Sequence, residues 1–332
     1  DRVIATAWGL PWAAAAAVGA LVLARQIRRT TATAGTAGGH QPLGGLGKEF
    51  WSFAGARAFA GAADTTLVWL DVLLVGWLVG PHDAGIYATA SRFVTTGTLA
   101  LQATRIATAP ALSRLITAGD RTAAERVYHG ATRGVIVASW PLYIGLACFA
   151  PTILRIFGHD FSRGGTALTI LAGAMLVDVA TGNVGTVLLM GGGSRWNLLN
   201  STTGLLVDVV LDLLLIPTHG AVGGAVGAAI GWAAAIVVIN VMTCLEVHYL
   251  MGLRVVDAPT LRLVGTMLGL VAVPGVLLAG LGGRSVVALV TWLAVTAVGV
   301  GSWIWRNRTQ ADVTDLVAAL RTALPARNRP AP

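Results

Sequence analysis

The chain has 332 residues, 55% of them hydrophobic and only 11% charged, with a mean hydropathy of +0.73. That balance excludes an ordinary soluble domain and indicates an all-helical, polytopic membrane protein. The formal charge of +8 comes from basic residues scattered between apolar runs, with no dense basic domain and interleaved aromatics, so it reports membrane topology and not a nucleic-acid partner.

About 20 apolar residues cross the hydrocarbon core, and on that rule the chain carries about nine transmembrane helices. They are expected near 3–24, 50–79, 84–112, 133–157, 165–190, 196–216, 221–249, 261–281 and 286–305. The first follows Asp1 directly, with no Met and no basic leader, so a fragment or processed product is expected, not a signal peptide. Residues 25–49, rich in Arg, Thr, Ala and Gly, read as a flexible linker.

The second span holds Arg57, Asp64 and Asp71, each seven residues from the next. Seven residues is almost two turns, so the three share one stripe along roughly 20 Å of helix, at about 1.5 Å per residue. A charge facing lipid at mid-bilayer costs about 2.5 to 3.5 kcal/mol on insertion scales, so the stripe is expected to face an interior. It reads either as mutual pairing within a bundle or as a cavity wall for a charged headgroup, a coupling cation or a proton.

On the third span Thr98, Gln102 and Arg105 form a second polar face, with Ser91 and Arg92 one to two turns earlier. Arg92 and Arg105 suit anionic phosphate, because guanidinium is a planar, permanently charged fork; snorkelling is the plainer account of Arg105. Asp120 is placed to cap a short amphipathic surface segment, Arg121 to Tyr128, ahead of the fourth span.

Asp178, Thr181, Gly182 and Gly185 share a face of the fifth span, with Asn183 beside it, and Asn200, Gly204, Asp208 and Asp212 form a stripe on the sixth. Small residues let helices approach and polar ones bond across them; Asp208 and Asp212 are read as neutral hydrogen-bond donors. Gly223, Gly227 and Gly231 repeat every fourth residue on the seventh span, a close-packing pattern. Pro110, Pro141 and Pro274 lie in or near spans and could bend them.

Arg25, Arg28, Arg29 and Lys48, then Arg114, Arg121, Arg126 and Arg133, then Arg195, Arg254 and Arg262, then the tail arginines fall on one side, which the positive-inside rule makes cytoplasmic. After Arg308, apolar residues at helical spacing read as an interfacial tail with a Pro-rich end.

Catalysis finds no support in the residues. There is no GxxxxGK[ST] loop, no HExxH, no Cys/His ligand cluster and no recognisable nucleophile set, and Cys148 and Cys244 lie in apolar runs as small hydrophobes. No metal, no cofactor and no enzyme activity are expected.

The succession WLDVLLVGWLVGP, GIYATASR, TAPALSRL, FAPTILRIFG and LLLIPTHGAVGGAVGAAIGWA resembles the polysaccharide flippases of the multidrug/oligosaccharidyl-lipid/polysaccharide exporter superfamily. Asp71, Gly76, Gly85, Tyr87, Arg92, Pro110, Leu215 to Pro217, Gly220 and Gly223 carry the likeness, which covers about residues 48–252. Where such relatives usually have Asn before LeuLeuLeuIlePro, this chain has Asp208 and Asp212.

The resemblance implies two six-helix lobes around a cavity and translocation of a lipid-linked oligosaccharide by alternating access. Residues 1–24 would then be the last helix of a missing N-terminal lobe, 25–49 a cytoplasmic linker, 50–252 the C-terminal lobe, 253–308 two appended helices and 309–332 a cytoplasmic amphipathic tail. It implies a bacterial inner-membrane protein whose partners are the lipid-linked substrate, membrane lipids, the missing lobe and a coupling ion, Na+ or H+. The candidate substrate or ion contacts are Arg57, Asp64, Asp71, Arg92, Gln102, Arg105, Asp178 and Asn183. The alternatives are a membrane-embedded polymerase or ligase using lipid-linked sugars, which would want a large outward loop, and a cation-coupled multidrug antiporter, which would want a smaller, more aromatic cavity.

Overall fold

The structure is a computed structural model and describes residues 69–218, 220 and 222–307, with six further helical positions at 18, 19, 21, 25, 61 and 66. The chain divides into two compact units, 1–50 and 51–332. In the first, the described residues Val18, Gly19, Leu21 and Arg25 are helical and exposed. The second is all-helical over its described length. Most of the first expected span and of the second, with Arg57 and Asp64, lies outside the described residues, as does the tail beyond Asn307.

The helices are α1 (Trp69–Leu78), α2 (Pro81–Thr96), α3 (Leu99–Thr117), α4 (Arg121–Leu154), α5 (Gly165–Thr181), α6 (Val184–Met190), α7 (Ser194–Leu215), α8 (Ala225–Met251), α9 (Ala258–Met267), α10 (Val273–Leu281) and α11 (Val286–Asn307). Among the described residues, six helical stretches are long and apolar enough to cross a membrane: Arg121–Phe157, Asp160–Thr181, Ser194–Leu215, Ala225–Met251, Ala258–Leu281 and Val286–Asn307. Their outer faces keep large apolar side chains exposed, among them Leu206, Leu214, Val287 and Val298, as lipid contact requires.

Three expected boundaries move, each for a local reason. The third span is not one helix, because the chain breaks at Gly97 between α2 and α3. There the Gly97 and Thr98 N–H groups bond back only three residues, to the Val94 and Thr95 carbonyls. The Tyr143 hydroxyl donates to the Val94 carbonyl at 3.1 Å and fills the space beside Gly97, where a Cβ would lie 2.6 Å from that oxygen.

The fifth span breaks likewise at Gly182, whose φ of +61° is open to glycine and whose Cβ, if present, would lie 2.1 Å from Thr132 Oγ1. The Thr181 carbonyl, freed by that break, accepts from the Tyr128 hydroxyl at 2.6 Å. The separate surface segment before the fourth span does not exist. Asp120 does cap, accepting the Ala123 N–H at 3.0 Å, but α4 then runs straight on from the surface turns into the span, and the kink within its 34 residues comes only at Phe149, two residues before Pro151.

The core lies where α4, α5 and α8 meet α2, around Tyr87, Tyr143, Ile136, Phe149, Leu168 and Leu171. Helices α9 to α11 dock on α4. A π-helical turn, Leu268–Ala272, joins α9 to α10 just before Pro274, and the Trp292 indole N–H donates to the Val271 carbonyl in that turn at 3.0 Å. The same ring occupies the space left by Gly145, where a Cβ would lie 2.5 Å from it.

At the basic end, Asp257 caps α9 by accepting from the Thr260 N–H at 3.0 Å and pairs with Arg133 Nη1 at 2.9 Å; His129 Nδ1 stands 3.6 Å away. Burial pushes the Asp257 carboxyl up, but the Thr260 hydrogen bonds and the neighbouring His129 and Arg133 outweigh it and hold it below its usual range. A depressed folded value means the stabilisation is present above the ordinary carboxylate range and is lost as pH falls through the folded value. Thermal melts of the detergent-solubilised chain taken downward from neutral pH should therefore lose stability in that acid window. Asp257→Asn should flatten that loss, by about 0.2 to 1 kcal/mol for so exposed a pair.

Candidate functional site: a buried carboxylate triad

Helices α7 and α8 run antiparallel with their small and polar faces turned to each other. On α7 the buried residues Asn200, Gly204, Asp208 and Asp212 recur every fourth position. On α8 Gly227, Gly231, Ala235 and Thr243 are buried opposite them. A Cβ on Gly227 would lie 2.9 Å from the Leu215 and Ile216 backbone, and one on Gly231 would lie 2.5 Å from Asp212 Oδ1. These glycines thus let the helices close on the two aspartates. Gly223, expected on the same face, sits instead in the turn before α8, beside the Thr218 carbonyl.

The third wall of the seam is α1. It brings Asp71 to Asp208 and Asp212, with one oxygen from each carboxylate lying within 4.8 Å of the others. Asp71 is 1% exposed, Asp208 and Asp212 0%. The buried Tyr87 hydroxyl on α2 donates to Asp71 Oδ2. Among the described residues no donor from outside the triad reaches Asp71 Oδ1 or either oxygen of Asp208 and Asp212, and Asp208 pairs with Asp71 when one of the two holds a proton.

Two carboxylate charges at about 4.8 Å repel by roughly 3 to 4 kcal/mol at an effective dielectric of about 20, and three such pairs meet here. A fully ionised triad therefore requires a counter-charge, supplied by a cation or by protons. The donor set is all hard oxygen, suited to an alkali or alkaline-earth cation and not to a thiophilic metal. Asp208, read from the sequence as a neutral donor, lies within hydrogen-bonding reach of Asp71, so a proton held on Asp208 is shared with the Asp71 carboxylate.

Of the other candidates, Arg92 is exposed and lies 4.3 Å over the Trp69 ring. With Trp69, Val72, Ala88, Ser91 and Thr95 it lines a shallow surface cleft with room for about one water. Gln102 donates to Thr98 Oγ1 at 2.9 Å, and both it and Arg105 are exposed on α3. Asp178 accepts from Asn240 Nδ2 at 3.0 Å, Asn240 in turn accepts from the Thr181 hydroxyl, and Asp178 interacts electrostatically with Arg105. Asn183 is 1% exposed, with neither amide atom bonded.

The candidates do not converge on one point. Asp71 faces the closed triad and Arg92 the surface cleft, while Arg57 and Asp64 lie outside the described residues. Asp208 and Asp212 were absent from the candidates; their four-residue spacing was visible, but their meeting with a distant α1 was not.

The sequence model of the polysaccharide biosynthesis protein family matches residues 45–163. No curated protein matches the chain. Among solved structures it is similar to a MATE protein in a bent conformation, at 17% identity and a TM-score of 0.49, over 81% of this chain and 66% of that one. It is similar to a multidrug resistance MATE family transporter of the MOP superfamily in an outward-facing conformation, at 17% identity and a TM-score of 0.48, over 82% and 67%. A third is a MOP superfamily transporter from Pyrococcus furiosus, described as having a binding pocket of reversed polarity, at 17% identity and a TM-score of 0.49, over 82% and 67%. The chain thus spans about two thirds of the length of these proteins. It is a multi-pass, all-helical membrane protein that carries, over residues 45–163, the pattern of the polysaccharide biosynthesis family, in line with its resemblance to the polysaccharide flippases.

Proposed function

We propose that this chain is the C-terminal portion of a bacterial inner-membrane flippase that moves a lipid-linked oligosaccharide by alternating access, coupled to a cation gradient of Na+ or H+. What supports the coupling is the Asp71, Asp208 and Asp212 triad, three carboxyl groups buried among apolar helices with one outside donor, the Tyr87 hydroxyl, among the described residues. A seam that only held helices together would satisfy those oxygens. The family match over 45–163 supports the glycan class.

In this reading residues 50–252 form one lobe, residues 3–24 end the other, and 253–308 are appended helices. The diphosphate headgroup meets Arg92, whose guanidinium is exposed beside Trp69, and Arg105, exposed on α3, and Arg57 are further candidate contacts. Gln102, Asp178 and Asn183 offer hydrogen bonds to sugar hydroxyls.

The test is flipping of a fluorescent lipid-linked oligosaccharide by the full-length protein in proteoliposomes, with the Na+ and proton gradients imposed separately. Arg92→Ala should lower the rate about tenfold, as loss of one charge-assisted phosphate contact implies. Abundance should hold, because an exposed cation–π contact contributes only about 0.5 to 1 kcal/mol. An unchanged rate removes Arg92 from the substrate path, and indifference to both gradients rejects the coupling.

A further inference from the structure

The triad is closed off differently at its two ends. Toward the α7–α8 turn the seam is sealed by main chain: Gly227 sits so close to Leu215 and Ile216 that a Cβ there would meet backbone atoms at 2.9 Å. Backbone contact of that kind opens only if the helices part. Toward the end that carries Arg195 and Arg254, the next layer is Gly204 on α7, and there the nearest atoms are Cδ1 and Cγ1 of Ile239, 2.4 and 2.5 Å from where a Cβ would stand. The Ala235 carbonyl oxygen comes next, at 3.6 Å, so that closure is made first by the far end of one side chain filling the space a glycine leaves.

One turn beyond this plug the seam becomes polar again. Asn200 Nδ2 donates to Thr243 Oγ1 at 3.1 Å and to Glu246 Oε2 at 2.6 Å. Asn200 is 1% exposed and its Oδ1 has no partner among the described residues, while Glu246 is only half-buried. Asp208 to Asn200 is two helical turns, about 12 Å. The order along the seam is therefore triad, apolar plug, amide and hydroxyl, then a carboxylate near the surface.

Resting on the cation-coupled reading above, we propose that Asn200, Thr243 and Glu246 form the cytoplasmic exchange path of the cation held by the triad, with Ile239 as its gate. Asn200 Oδ1 and Thr243 Oγ1 replace part of the ion's water as it passes, and Glu246 draws it to the mouth. A gate alters the barrier and not the bound state, so its removal speeds entry and exit together and leaves the equilibrium affinity alone. A residue that merely packs the seam would change the affinity instead.

The test uses the purified, detergent-solubilised chain with radiolabelled sodium ion, measuring equilibrium binding and the rate of release into unlabelled buffer. Ile239→Val, a one-methylene change the fold should tolerate, and Ile239→Ala should each speed release, the latter about tenfold, with affinity within about twofold of the parent. Glu246→Gln should slow release. Unchanged release in both Ile239 variants and in Glu246→Gln, with binding intact, overturns the path and leaves the triad standing. Changes that appear only in affinity assign Ile239 to packing and also overturn it. Parent protein that binds no sodium ion rejects a sodium-occupied triad, and the path with it.

Discussion

Asp212→Asn will cost the full-length transporter at least about a hundredfold in cation-coupled flipping, a difference of roughly 2.7 kcal/mol, yet the protein will remain folded. In buffer without a coupling cation it will be more stable than the parent. Both follow from the same geometry: each carboxylate lies within 4.8 Å of two others, none of them exposed beyond 1%. Replacing one carboxyl with an amide removes a repulsion that the parent relieves only by taking up a proton or a cation, and it also removes a ligand.

The measurement that separates the two effects is the melting temperature against added cation. A cation bound only by the folded state stabilises by about 2.7 kcal/mol at about a hundred times its dissociation constant. The parent should show such a rise and Asp212→Asn should not. A rise with pH titration but with no metal cation would identify protons as the occupant; a rise that survives in Asp212→Asn would remove the triad from the site.

The second large effect is expected at Gly231. Its Cβ would stand 2.5 Å from Asp212 Oδ1 and 3.3 Å from the Asp208 carbonyl oxygen and Oδ1, so Gly231→Ala pushes a methyl into the triad. Overpacking of this kind costs about 1 to 3 kcal/mol, and the cation-dependent rise in melting temperature should vanish with it. Gly227→Ala is the control. The atoms nearest its Cβ are those of the Leu215 and Ile216 main chain and the Leu215 Cβ, with no carboxylate oxygen ahead of them, so a comparable loss of stability should leave the cation response in place. Equal cation responses in the two variants would argue that Gly231 acts only through packing.

How much of this the sequence discloses depends on whether a signal is local. The α7 stripe and the facing glycines of α8 were legible, because their four-residue period is set by the helix itself. The membrane class was legible from hydropathy for the same reason. Asp71 was singled out, but with Arg57 and Asp64 as its companions, since a stripe names neighbours on one helix and not the helix packed against it. The structure gives it Asp208, Asp212 and Tyr87.

The breaks at Gly97 and Gly182 were hidden because apolar residues continue across them and single glycines are common within membrane helices. Their causes, Tyr143 and Thr132, come from another part of the chain. The long α4 was divided on paper by its polar first turns, which a helix longer than the bilayer simply carries outside it. At about 1.5 Å per residue its 34 residues reach roughly 51 Å, against a hydrocarbon core of about 30 Å.

The interruption between α2 and α3 bears on motion. Across it two short backbone bonds at Gly97 and Thr98 join one rod to the next, with the Thr98 hydroxyl, which donates to the Thr95 carbonyl and accepts from Gln102 Nε2. A swing of α2, which carries Arg92, need not lever α3, which carries Arg105, and the two arginines can be parted and reunited without unwinding either rod. In the alternating-access cycle proposed above, an elbow placed there would let α2 shift by itself, apart from any movement of the bundle as a block.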